Sequence, residues 1–153
     1  MKQINYLFAA LLAASLSLAS LSVAAANYEN SVAAVSGYDL VAYHTAGKAT
    51  KGNGYNVSVH DGITYLFANE DNKKAFDANP AKYLPAYGGW CAFGVSVGKK
   101  FFSDPEAWKI VDGTLYLNLD KKIQADWSKD IPGRINDANK HWTKIKDKSP
   151  SEL

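Results

Sequence analysis

The chain has 153 residues, with 17 Lys and Arg against 15 Asp and Glu, three His and a single Cys. A formal charge of +2, spread through alternating signs, gives no concentrated basic field and so argues against a nucleic-acid partner. One cysteine cannot close an internal disulfide, so the fold must rest on its core, for which four Trp, nine Tyr and six Phe supply the apolar area.

The first element in chain order is an export signal. Lys2 gives a short positive start, Leu7 to Ala19 forms an apolar run too short and too weak for a comfortable membrane span, and Ala24-Ala25-Ala26 offers the small side chains that a signal peptidase accepts. Residues 1–26 are therefore expected to be removed, with the cut before Asn27; the alternative is an uncleaved anchor. No later stretch reaches transmembrane length, so the expected product is one soluble domain of about 127 residues, periplasmic or secreted, with no stable membrane span after cleavage. Its folded part is expected over residues 27–145, followed by a frayed polar tail, 146–153.

Two Asp-Gly pairs mark hairpins. Around Asp61-Gly62, apolar matching favours a three-residue loop of His60, Asp61 and Gly62 that pairs Val59 with Ile63, Val57 with Tyr65 and Tyr55 with Phe67. Around Asp112-Gly113 a two-residue loop sets Ile110 against Leu115 and Trp108 against Leu117. Asn69 is placed to cap a short helix from Glu70 to about Ala78, ended by Asn79-Pro80 because the residue before proline is pushed out of the helical region. Asp104-Pro105 has the form of a cap followed by proline at a first helical position. Lys121 to Asp130 forms a helix with Ile123 and Trp127 on one face, Pro132-Gly133 breaks the chain, and Ile135, Ala138, Trp142 and Ile145 recur at helical spacing. The expected fold class is α+β, a small single domain with two β-hairpins in a mostly antiparallel sheet and C-terminal helices packed on it.

Tyr65-Leu66-Phe67, then Phe76 and Asn79-Pro80-Ala81-Lys82-Tyr83, resemble the core signature of the YHS domain, a short module of metal-handling proteins. Gly37-Tyr38-Asp39-Leu40-Val41-Ala42-Tyr43 is similar to its opening segment. Tyr87-Gly88-Gly89-Trp90-Cys91-Ala92 and the stretch from Asp104-Pro105 through Trp108 to Asn118 resemble the longer exported bacterial members. The resemblance implies a binding protein for a transition metal, copper first. The cysteines of the metal-binding short modules are replaced here, since Tyr38 and Asp39, Ala68 and Asn72 stand at their positions, and soft thiolates are what hold zinc or copper.

The ligand types left for a metal are Cys91, His44 and Asp39, with His60 read as a solvated loop residue and His141 as surface. None lies at a short ligand spacing. His44 is expected just after a strand ending at Tyr43, within reach of Cys91 if the opening segment folds beside the glycine stretch. The competing reading is a binding module for a small organic ligand or a protein partner, with Tyr87, Trp90 and Phe93 of the aromatic and glycine-rich stretch forming a pocket or patch and no metal involved. A thiol-dependent enzyme is the third reading, and it requires a depressed pKa at Cys91. Catalysis otherwise has little support, because Asp39, Asp104 and Asp112 read as turn and cap residues.

Overall fold

The computed structural model describes residues 32–153, so the signal peptide assigned to residues 1–26 lies outside them. Among the described residues no helix is long and apolar enough to cross a membrane. Strands β1 (Asn53–His60) and β2 (Ile63–Phe67) form one antiparallel pair, and β3 (Asp104–Val111) and β4 (Thr114–Asn118) form a second. With helices around both pairs, the domain is α+β.

The second hairpin has the expected register, with Trp108 opposite Leu117 and Ile110 opposite Leu115. The first does not. Its loop is only Asp61 and Gly62, at φ 51° and 76°, the two left-handed positions of a tight hairpin turn for which Asp-Gly is suited. His60 therefore opposes Ile63, Ser58 opposes Tyr65, and β1 bulges between Asn53 and Val57. Apolar matching failed because the inner partner of Tyr65 is polar. Buried Ser58 donates to the Asp77 carboxylate of the following helix at 2.5 Å, so its hydroxyl is satisfied and the inner face tolerates it.

Helix α1 (Leu40–Thr45) replaces the strand expected to end at Tyr43, and Asp39 starts it. The Asp39 side chain accepts from the backbone N–H groups of Val41 and Ala42, satisfying two donors that a helix start leaves orphaned. Helix α2 (Glu70–Ala78) begins at the Asn69 cap, and the short α3 (Pro80–Tyr83) follows at the proline. Cys91 precedes α4 (Ala92–Ser96). Asp104-Pro105 starts a strand, not a helix, and the Asp104 carboxylate accepts from Glu106 N–H in a local turn. After α5 (Lys121–Trp127), the break falls at Asp130, whose side chain caps Gly133 N–H. Pro132 and Gly133 thus lie in the first turn of α6 (Ile131–Ile145), where a proline lacking an N–H costs nothing.

Strand β4 separates two cores. Its alternation sends Leu115 and Leu117 into a cluster with Leu40, Tyr43, Phe67 and Phe76, and Tyr116 into a second with Trp127, Val95 and Ala138. Ile135 and Trp142 of the α6 stripe pack against the second cluster, as their spacing predicts. The C-terminal tail is tied down, contrary to expectation. Leu153 packs on the second core, and the carbonyls of Lys146 and Lys148 accept from the Lys100 ammonium at 2.7 and 2.6 Å.

Candidate functional site

The six residues singled out from sequence are dispersed by the fold. Asp39 is fully buried, and its carboxylate already has four donors: Val41 and Ala42 N–H on Oδ1, with Ala68 N–H at 2.9 Å and Asn72 Nδ2 at 2.7 Å on Oδ2. Its lone pairs are committed to joining α1, β2 and α2. His44 lies on α1 with its ring edge-on to Tyr83, centroids 5.4 Å apart. Its Nε2 is buried without a hydrogen-bond partner among the described residues, and burial, helped by the charge of Lys82, pulls its pKa below the ordinary histidine value.

Cys91 is only 1 % exposed. Its sulfur accepts from Gly94 N–H at 3.4 Å, and the thiol points to Asn118 Oδ1 at 4.0 Å. Burial pushes its pKa up, against the helix N–H groups that favour the thiolate, which is the opposite of what a thiol nucleophile needs. Cys91, His44 and Asp39 are therefore not one metal site. Among the described residues no group of three or more His, Cys, Asp or Glu is gathered to hold a metal ion.

Tyr87, Trp90 and Phe93 also part company. Tyr87 is a core residue, its ring tilted against Tyr116 and edge-on to Trp142, with its hydroxyl donating to Asn139 Oδ1 at 2.9 Å and its pKa pushed up to about 12 by burial. Phe93 lies under the Arg134 guanidinium, 4.4 Å from its ring centroid, at a polar hollow of about 300 Å³ shared with Asp126, Lys129 and Asp137. Trp90 alone of the three opens on the larger cleft.

That cleft has a volume of about 520 Å³. It draws on four separate segments: the turn Ala34–Gly37, the first hairpin, Leu84 to Trp90, and Phe102-Ser103. Its apolar surface comes from Val35, Ile63, Tyr65, Leu84, Trp90 and Phe102, and its polar groups include Ser36, His60, Asp61 and Ser103. Phe102 is 80 % exposed, with its ring 5.2 Å from that of Trp90. His60 is not simply solvated: it is half-buried, edge-on to Phe76, with Nε2 3.5 Å from the Asp61 carboxylate.

Strained backbone lies on two of these segments. Val35 and Ser36 have φ of 49° and 52°, and Tyr87 and Gly88 have 56° and 61°. A β-branched residue in the left-handed region costs on the order of 1–3 kcal/mol, which the surrounding structure must offset. At Gly89, φ is 84°, and an added Cβ would sit 3.7 Å from Val35 Cγ2, so the two turns come close to one another. The sequence signals that could have found the cleft are the second glycine turn and the paired Phe101-Phe102; nothing local marks Val35, Ile63 or Asp61. His141, read as surface, is half-buried, with Nδ1 3.1 Å from the Ser96 carbonyl.

No family model, curated protein or solved structure matches the chain.

Proposed function

We propose that this protein is a binding module for a small organic molecule with a largely apolar body, held in the cleft between the Ala34–Gly37 turn, the first hairpin and Trp90. The observation that carries this reading is the cleft itself: about 520 Å³, within the usual range of small-molecule sites, mostly apolar, with a few polar groups on its lining. The aromatic surface supports it, because exposed Phe102 and half-buried Trp90 offer flat surface that a ligand ring would cover. The strand Tyr65-Leu66-Phe67, which resembles the YHS signature, supplies Tyr65 to the lining, and on this reading the ligand of the chain is organic and not a thiolate-bound metal. A copper or other transition-metal role would need Cys91 to leave its burial and Asp39 to give up its donors, and each step is unfavourable.

Phenethyl alcohol serves as a neutral probe with a flat apolar body. Titration followed by nuclear magnetic resonance is expected to show saturable binding at about 1 mM or tighter, equivalent to roughly −4 kcal/mol. Phe102→Ala is expected to weaken it by about three- to tenfold, in line with ~0.5–1.5 kcal/mol for an aromatic pair. This variant isolates the cleft, since so exposed a ring contributes little to the core. Equal binding by Phe102→Ala and the parent protein would count against the reading.

A further inference from the structure

We infer that the ligand of this cleft is an organic cation, with its charged end at the Asp61 side and its apolar body against Trp90 and Phe102; the inference rests on the cleft being the binding site. Among the residues that line the cleft, Asp61 is the one carboxylate, and neither Lys nor Arg is present. Tyr65, Trp90 and Phe102 also line the cleft and offer aromatic surface to the apolar body of a ligand. A carboxylate with no Lys or Arg in the lining favours an ammonium and disfavours a carboxylate or phosphate.

Lys100 fixes the orientation. Its ammonium lies 5.7 Å from the centre of the Trp90 ring, held by the carbonyls of Lys146 and Lys148, and it repels a second cation at that ring. The charged end therefore goes to the hairpin turn. There the Asp61 carboxylate is well exposed, so its pull is modest and sensitive to salt.

Three probes of one shape test this at about pH 8, where free imidazole is neutral: phenethylamine as the cation, phenethyl alcohol as the neutral form and hydrocinnamate as the anion. At low salt the amine is expected to bind about threefold tighter than the alcohol, with hydrocinnamate weakest, and added salt should compress the differences. Asp61→Asn is expected to abolish the preference while leaving the alcohol's affinity as it was, because asparagine is at ease in the left-handed turn position that Asp61 occupies. If the alcohol or hydrocinnamate binds the parent protein as tightly as the amine does, the inference is overturned and the cleft remains the site. If the amine's preference survives Asp61→Asn, the assignment to Asp61 is overturned. Failure of all three probes to bind would remove the cleft reading, and this inference with it.

Discussion

Asp39→Ala is expected to lower the stability of the domain by about 4 kcal/mol, a large part of the ~5–15 kcal/mol available to a domain of this size. The change removes a helix cap, worth on the order of 1 kcal/mol, and leaves Ala68 N–H and Asn72 Nδ2 facing a cavity where a carboxylate oxygen had been. An unsatisfied buried donor costs ~1–3 kcal/mol, and the bonds lost are charge-assisted. Asp39→Asn separates the two contributions. It keeps an oxygen for Val41 and Ala42 but turns an NH₂ group towards two donors, so it is expected to recover about half of the loss. Urea unfolding measures both, and a cost below about 1 kcal/mol for Asp39→Ala would show that the buried carboxylate and its four contacts contribute little net stability.

Lys100→Met is expected to cost about 2–3 kcal/mol and to act locally, releasing the tail while the rest of the domain stays folded. Lys100 is 7 % exposed, with its ammonium 5.3 Å from the centre of the Trp142 ring and 5.7 Å from that of Trp90. The carbonyls it bonds belong to the residues just after α6, where a helix end leaves acceptors unsatisfied. Methionine keeps the apolar stem and removes both charge-assisted bonds. Amide hydrogen exchange should then accelerate over residues 146–153 far more than over β4, and the Trp90 environment should change with it. Uniform acceleration across β4 and the tail would mean that Lys100 supports the whole fold and not the C-terminal segment.

Local signals were legible where both partners are near in sequence. Asn69 and Asn72 are three residues apart, the Asp112-Gly113 loop and its strands lie within Trp108 to Leu117, and the α6 stripe repeats along one helix. The first hairpin misled because the inner position opposite Tyr65 is Ser58, made acceptable only by Asp77 on α2, nineteen residues on. Asp39 likewise reads as a turn residue until Ala68 and Asn72 meet it. Lys100 has the look of one more surface lysine, and its burial depends on carbonyls more than forty residues away.

Of the cleft lining, Trp90 was legible in the sequence. Tyr87 and Phe93 flank it in sequence, but the left-handed turn at Tyr87 and Gly88 and the start of α4 send the three side chains to different places. The metal reading joined Cys91, His44 and Asp39 by residue type. Each is absorbed by its own surroundings, a thiol under a helix start, an imidazole against Tyr83 and a carboxylate among four donors.

On the function proposed above, a small organic molecule occupies the cleft lined by Val35, Tyr65, Trp90 and Phe102. The most direct measurement is the set of backbone and aromatic resonances of the protein, followed as phenethylamine is added to saturation. Shifts that titrate together and cluster on His60, Ile63, Tyr65, Trp90 and Phe102 are the predicted result. Shifts centred on Phe93 and Arg134, or no saturable shift at any position, would contradict it.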